Sequence, residues 1–166
     1  NILFPNTKYI LGTFEITPIL LSHDVKCFGY VVHSTITDET LVNITDTGYI
    51  PDNSFEIISN ADFYIFESNH DTDMELNSPR PAYLIKRNMS DTGHLNNIDS
   101  SYYLSLIVGN KTKTILFAHL SRDCNREDLV LKAYKDVFLA QKGSIPDIEV
   151  YCLHQDLPTF IQTKVK

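Results

Sequence analysis

Histidine and carboxylate side chains stand at the ends of several apolar segments of this sequence, where they could take part in metal chemistry. The residues concerned are His23, Asp46, His70, His94 and His119. Side chains at the ends of different strands can converge on one point, and loops after strands commonly carry active sites. Imidazole with carboxylate is the ligand set expected of Zn, Mn or Fe. A metal site is therefore one interpretation of this spacing.

Asp46 is the clearest case, because the apolar segment 41–44 runs directly into Thr45-Asp46-Thr47-Gly48 with no Lys or Arg beside it. A buried carboxylate without a partner is costly unless a cation or several hydrogen-bond donors meet it. The other interpretation is local, since an Asp in a turn commonly bonds to its own backbone. A lone His after a strand is likewise more often a structural residue. Spacing alone leaves both interpretations open.

Elements that would position these residues can be predicted from β-branched, aromatic and turn-forming residues. We expect strands in "KYILG", "FEITPILLSH", "CFGYVVHSTI", "TLVNITDT", "ADFYIFES", "TKTILFAHLS" and "DIEVYCL". Helices are predicted in "DNSFEIISN", "PRPAYLIKRNMS", "IDSSYYLSLIV" and "NREDLVLKAYKDVFLAQKG", the last with an apolar face of Leu129, Ala133, Val137 and Ala140. Asn96 or Asn97 would cap the third helix, and Gly143 would follow the fourth. An antiparallel first part followed by alternating strands and helices predicts an α/β layered fold.

Composition is that of an ordinary globular domain, with 166 residues, 43% hydrophobic and 21% charged. Three cysteines without C-x-x-C spacing suit a reducing compartment, which predicts a cytoplasmic protein. No apolar run reaches the roughly 18 residues of a membrane span, so no membrane partner is expected. The net charge of −7 argues against a broad basic surface for nucleic acid, but not against phosphate held locally by metals. Arg80, Lys86 and Arg87 form either a small basic patch for a nucleic-acid backbone or a solvated helix face.

The order of the motifs resembles the C-terminal half of a metallo-β-lactamase-fold hydrolase, and more narrowly the bacterial YycJ/WalJ family, with RNase Z as a distant relative. The motifs are "LSHDVKCFGYVV", "TDTG", "IFESNHD", "GHLNN" and "ILFAHLSRDCN". They follow one another in the family's order and extend over nearly all of the chain. The resemblance implies an α/β fold that makes up the C-terminal half of an αββα sandwich.

The same resemblance implies roles for individual residues. His23 and His119 would each ligate one of two divalent ions, Zn or Mn, and Asp46 would bridge the two ions. Such a pair of ions lowers the pKa of water and neutralises charge on a phosphoryl group. His94 would contact the scissile phosphate and assist the leaving group, with His70 and Glu67 as further catalytic residues. Asn69 and Asn96 would contact substrate, although Asn96 stands where the family usually has Ser and is also a candidate helix cap.

One family motif is absent. His-x-His-x-Asp-His, which supplies most of the remaining metal ligands, occurs nowhere in residues 1–166. In the family this motif lies upstream, so we expect a single domain over 1–166 that is incomplete at its N-terminus. Its expected partners are the missing N-terminal half or a second copy of the chain, either of which would cover the exposed sheet.

Two classes of function follow. The intact protein would be a metal-dependent phosphodiesterase, as the family resemblance implies: an exonuclease that degrades DNA from a 5′ end. RNA and small phosphodiesters are alternative substrates. The other class is a truncated or degenerate module without catalysis, in which three ligands spread over two ions bind metal weakly.

Overall fold

The computed structural model describes residues 3–159, which form a seven-stranded sheet flanked by helices. The strands follow one another across the sheet in chain order: β1 Tyr9–Leu11, β2 Phe14–Leu21, β3 Cys27–Ser34, β4 Thr40–Ile44, β5 Phe63–Glu67, β6 Thr114–Ala118 and β7 Glu149–Cys152. β1 to β4 pair antiparallel, and β4 to β7 pair parallel. Gly12 permits the two-residue turn between β1 and β2 because its φ is +61°.

Parallel neighbours need crossover connections, and helices supply them here. The helices are α1 Phe55–Ile58, α2 Thr72–Leu76, α3 Ala82–Asn88, α4 Asn97–Ile107 and α5 Glu127–Lys142, and a 3₁₀ turn at Asp52–Ser54 precedes α1. α1 joins β4 to β5, α2 to α4 join β5 to β6, and α5 joins β6 to β7. Within residues 3–159, no helix is both long and apolar enough to cross a membrane.

The core lies between one face of the sheet and the helices. Alternate strand residues point to this face, as the two-residue period of a strand dictates. With residues of α1, α4 and α5 they form one buried cluster, whose members include Ile19, Val31, Val42, Tyr64, Phe66, Ile115, Phe117, Ile58, Leu104, Ile107, Val130 and Phe138. The Tyr64 hydroxyl donates to the carbonyl of Ile58 at 2.7 Å, which fastens β5 to α1.

The opposite face of the sheet is apolar and only partly covered. One row of paired residues crosses it through Tyr30, Asn43, Ile65, Leu116 and Tyr151. Leu116 is buried, whereas Tyr30 and Ile65 are half-buried and Tyr151 is 38% exposed. A contiguous apolar surface of this kind is typical of a docking surface or of an aggregation hazard.

The predicted strands are all present, and the α/β layered fold is confirmed. The expected end of α5 is also present, with Gly143 at φ +74° directly after Lys142. α2 was not predicted, because its five residues are too few to show an apolar period. Its signal was the cap: Asp71 accepts a hydrogen bond from the Met74 amide at 3.0 Å.

The predicted apolar face of α5 is confirmed only in part: Ala133 is buried, and Leu129 and Val137 are half-buried. Ala140 is exposed, and the buried residues of the helix are Val130, Ala133, Tyr134 and Phe138. Both faces have apolar spacing, but the aromatic side chains remove more surface from water. The Tyr134 ring packs edge-on to Phe117 of β6 with centroids 6.1 Å apart, and this packing sets the rotation of the helix.

Candidate metal centre

The predicted site residues converge at one edge of the sheet, beyond the carboxyl ends of the strands. Asp46 follows β4, Glu67 ends β5 and His119 follows β6, and parallel pairing brings these ends together. β2 has the same direction as β4, since β3 between them is antiparallel to both, so His23 reaches the same edge. His94 comes from the loop before α4.

Four of these residues form a compact cluster. Asp46, Glu67, His94 and His119 each offer one ligand atom, and the four atoms all lie within 4.8 Å of one another. His119 Nε2 is 3.6 Å from Asp46 Oδ1, and His94 Nδ1 is 3.8 Å from the same oxygen. The rings of His94 and His119 have centroids 5.2 Å apart. Spacings of this order suit side chains that share one or two cations.

Glu67 is the fully buried centre of the cluster. Its Oε1 accepts hydrogen bonds from Nδ1 of His94 at 2.9 Å and of His119 at 2.6 Å. Its Oε2 accepts one from the Thr47 amide at 2.9 Å and a longer one from the Leu95 amide at 3.4 Å. Burial by itself would raise the pKa of Glu67, but these hydrogen bonds outweigh it and lower the pKa to about 2. The carboxylate is therefore ionised, and both of its oxygens are occupied by hydrogen bonds from neighbouring residues.

The hydrogen bonds of Glu67 also set the histidine tautomers. Because Nδ1 of His94 and of His119 faces a carboxylate, each ring keeps its proton there and leaves Nε2 unprotonated in the neutral form. His23 follows the same pattern, with Nδ1 3.0 Å from the carbonyl oxygen of Gly93. The hydrogen bond to Glu67 raises the pKa of His119. Metal-ligating histidines characteristically donate their other N–H to a carboxylate or carbonyl in this way.

Two residues of the site have left-handed backbone conformations, φ +63° at Asp46 and φ +57° at His119. Such conformations cost about 1–3 kcal/mol in a residue other than Gly and persist only where the surroundings impose them. Around Asp46, the Gly48 amide donates to the Ser22 carbonyl at 2.9 Å. At His119, the Asn69 side-chain amide donates to the carbonyl at 2.9 Å. Both conformations therefore aim a functional side chain at the cluster.

The donor set fits a divalent metal ion. Asp46 is 38% exposed and accepts no hydrogen bond from the described residues 3–159, so its carboxylate is available as a ligand. His119 Nε2 is directed toward it. Glu67 fits less well as a direct ligand, because its oxygens are already occupied by donors; it orients the imidazoles instead. Two imidazoles and a carboxylate are the ligand types that Zn and Mn accept.

The remaining predicted site residues lie around this cluster. The ring of His23 is 5.1 Å from that of His94 between centroids, and its Nε2 is 3.3 Å from Asp24 Oδ1. His70 is buried, burial lowers its pKa, and neither ring nitrogen has a hydrogen-bond partner within residues 3–159. Asn69 holds the backbone of His119, as described above. These positions are compatible with the expected roles, which stay predictions.

Asn96 is the N-cap of α4. Its Oδ1 accepts from the amides of Ile98 and Asp99, each at 2.9 Å, and its Nδ2 donates to the Asp99 carboxylate at 2.7 Å. Capping was one of the two alternatives for this residue, and contact with substrate stays a prediction. Asn97 is buried and exchanges hydrogen bonds with Asn125 and Ser68.

Thr47 and Asn125 support the site and were missed by the sequence argument. Thr47 is buried; its amide donates to Glu67 and its hydroxyl accepts from the Ser22 amide at 3.2 Å. Asn125 donates to the carbonyls of Ser68 and Asn69 at 2.8 and 3.0 Å. Thr47 stands inside the "TDTG" motif, so its position beside Asp46 was the available signal. Asn125 is the last residue of the "ILFAHLSRDCN" motif, so its place in that motif was the available signal.

The chain has the metallo-β-lactamase fold. The metallo-β-lactamase fold protein YhfI from Bacillus subtilis is similar in structure, with a TM-score of 0.64 over 91% of this chain and 51% of YhfI, at 20% identity. In sequence the chain is 33% identical to exodeoxyribonuclease YycJ of Bacillus anthracis, over 91% of this chain and 57% of that protein. It is 35% identical to exodeoxyribonuclease WalJ of Streptococcus pneumoniae, over 82% of this chain and 54% of WalJ. These matches confirm the resemblance to the YycJ/WalJ family.

No family model matches the chain. The chain spans a little over half the length of the curated relatives to which it is similar.

Proposed function

We propose that a protein containing this chain is a metal-dependent phosphodiesterase that degrades nucleic acid, and that DNA is its substrate. One observation carries the proposal: Glu67 holds the imidazoles of His94 and His119 by Nδ1, which leaves Nε2 of each neutral ring unprotonated. Nε2 of His119 lies 3.6 Å from the carboxylate of Asp46, which accepts no hydrogen bond within residues 3–159. The similarity to proteins named exodeoxyribonucleases supports the substrate class. We further propose that the protein degrades DNA from a 5′ end.

The residues that would hold metal are Asp46 and His119, with His23 at the margin of the cluster. We propose that these residues would hold two divalent ions, Zn or Mn, with Asp46 as a carboxylate ligand. When bound, such ions polarise phosphoryl oxygens and make water a better nucleophile at neutral pH. Glu67 keeps the Nδ1 proton on His119 and thereby keeps Nε2 available for binding. Thr47 and Leu95 fix the orientation of Glu67 through their amides.

His94 would act as a general acid that donates a proton at the scissile bond. Its Nδ1–H is held by Glu67 at 2.9 Å, and its ring is 12% exposed, so Nε2 is the nitrogen that can face substrate. A protonated imidazole held in this orientation can donate its proton to the leaving oxygen of the sugar, a step for which general acids commonly supply 10²–10⁴-fold acceleration.

The experiment is metal analysis and a nuclease assay on a purified longer protein that includes residues 1–166. We expect bound divalent metal, release of nucleotides from 5′-phosphorylated DNA, and loss of both with Asp46→Asn. Asp52→Asn is the matched control, since Asp52 is an exposed acid outside the cluster. DNA blocked at its 5′ or its 3′ end tests polarity, and RNA of the same sequence tests the sugar. Metal bound without cleavage of DNA, RNA or a small diester would instead favour the non-catalytic module.

A further inference from the structure

The exposed face of helix α3 carries an aromatic ring, Tyr83, and a cation, Lys86, and neither side chain has a hydrogen-bond or ion-pair partner within residues 3–159. Tyr83 is 76% exposed, the highest exposure among the large aromatic side chains of residues 3–159. Its hydroxyl makes no hydrogen bond within those residues, and its ring stacks on no other ring there. Tyr64 and Tyr134, by contrast, are buried in the core. An exposed aromatic ring beside a cation is the combination on which a base can stack while its phosphate is bound.

Lys86 and Arg87 share this face with Tyr83, because residues three and four positions apart are neighbours on a helix. Lys86 is exposed and forms no ion pair within residues 3–159. The fifteen residues 76–90 contain Arg80, Lys86 and Arg87 and no Asp or Glu, in a chain whose net charge is −7. Arg80 is engaged with Glu75 and Asp123. The α3 basic face, meaning Tyr83, Lys86 and Arg87, therefore presents one cation, Lys86, without an ion-pair partner in residues 3–159, while Arg87 is paired with Asp24.

A hydrogen bond and an ion pair connect the α3 basic face to the candidate metal centre. The His94 amide donates to the carbonyl of Asn88, the last residue of α3, at 2.8 Å. Arg87 binds Asp24, next to His23, through Nε at 2.7 Å and Nη2 at 2.5 Å. Tyr83 is five residues before Asn88, which is about 7.5 Å along a helix. The face thus lies beside the site and is held in a fixed position relative to it.

We propose that the α3 basic face binds a single-stranded segment of nucleic acid next to the cleavage site, with a base stacked on Tyr83 and a phosphate near Lys86. The inference rests on the proposed function and names the surface that receives its substrate. Aromatic rings interleaved with cations are the usual means of binding single strands without sequence preference. Bases within a duplex are already stacked, so the surface favours a frayed or unpaired end.

Binding without turnover tests this inference. The affinity of the protein for a fluorescein-labelled single-stranded DNA of mixed sequence is measured by anisotropy with a chelator present, alongside the same sequence as a blunt duplex. We expect tighter binding of the single strand, and about tenfold weaker binding of it by Tyr83→Ala. Tyr83→Phe keeps the ring and should bind within twofold of wild type. Tyr102→Ala is the matched control, since Tyr102 is a 41% exposed helical tyrosine with Asp99 one turn away.

Lys86→Ala tests the phosphate contact. We expect the slope of log affinity against log salt to fall by about one, whereas Lys142→Ala, an exposed lysine at the end of α5, should leave it unchanged. Thermal unfolding of each variant checks that the fold is intact. Equal affinities of wild type and Tyr83→Ala for the single strand, or no binding by wild type, would overturn the inference. A protein that binds through Tyr83 and cleaves nothing would overturn only the proposed function.

Discussion

At the scale of single residues, the site depends on the buried carboxylate of Glu67, both of whose oxygens accept hydrogen bonds. Glu67 would be costly to bury as an anion, yet it faces two imidazole N–H groups and two backbone amides. Removing one partner of such a group leaves the others uncompensated. Glu67 therefore both stabilises the fold and sets which nitrogen of each histidine is free.

Glu67→Gln should flatten the acid limb of the stability curve in metal-free protein. The folded pKa of Glu67 is about 2 against an ordinary 4.5, so its contribution is complete above pH 4.5 and is lost as the pH falls toward 2. That difference corresponds to about 3 kcal/mol of unfolding free energy. Denaturant titrations at pH 5, 4 and 3 measure it, with Glu56→Gln on the exposed side of α1 as control. Equal pH slopes in Glu67→Gln and wild type would contradict the assignment.

His94→Ala and His119→Ala separate proton transfer from metal binding. We expect His94→Ala to retain metal and to lose 10²–10⁴-fold in cleavage rate, the usual contribution of a general acid. His119→Ala should lose metal, because its Nε2 faces Asp46 at 3.6 Å. Metal content by elemental analysis and the cleavage rate are measured on the same samples. Loss of metal in His94→Ala would move this histidine into the ligand set.

At the scale of elements, the site depends on loops that must approach one another closely. A Cβ on Gly93 would lie 2.2 Å from the carbonyl oxygens of Arg87 and of Asn88. The same glycine accepts the hydrogen bond of His23 and precedes His94. Its missing side chain is therefore what allows the end of α3, the His23 loop and the His94 loop to meet.

Gly93→Ala should destabilise the protein by about 2–3 kcal/mol, because backbone atoms cannot move aside as a flexible side chain could. This corresponds to a fall in Tm of about 4–10 °C, and metal affinity should fall as well. Gly12→Ala is the control. Nothing lies within 4 Å of the added Cβ, so the only expected destabilisation comes from placing an alanine at φ +61°, about 1–2 kcal/mol. A Gly93→Ala variant with wild-type Tm and metal affinity would show that the loops can separate without consequence.

At the scale of the whole molecule, the sheet has one covered face and one open apolar face, and the site lies at their common edge. Covering such a face needs further chain or a second copy, and relatives of which this chain spans little more than half are consistent with the former. The candidate ligands within residues 3–159 are also few for the two ions that we propose, since catalytic zinc normally has three protein ligands.

We therefore expect residues 1–166, produced alone, to bind divalent metal weakly and to lack nuclease activity, while a longer protein that includes them is active. Calorimetric titration with Zn and Mn, with a DNA cleavage assay on both proteins, measures this. Asp46→Asn should abolish the residual metal binding of the shorter protein. Strong nuclease activity of the shorter protein that disappears with Asp46→Asn would contradict the expectation.

The amino-acid sequence by itself determined the elements and the candidate ligands. Alternating β-branched residues, helix caps and Gly143 are local signals, and the "TDTG", "ESNHD" and "AHLS" motifs place chemistry at element ends. It did not determine which side of α5 is buried, because two sides of that helix have apolar spacing and only packing against Phe117 distinguishes them.

Only the tertiary structure decided how the site is connected. The decisive contacts join residues that are 20 to 52 positions apart in the chain. Glu67 binds both His94 and His119. Asn69 holds the backbone of His119, and Thr47 donates to Glu67. Such contacts depend on the parallel pairing of β4, β5 and β6, which brings three chain-distant ends to one edge. Hydrogen-bond partners over that separation have no local signature, so the chain must fold before they are defined.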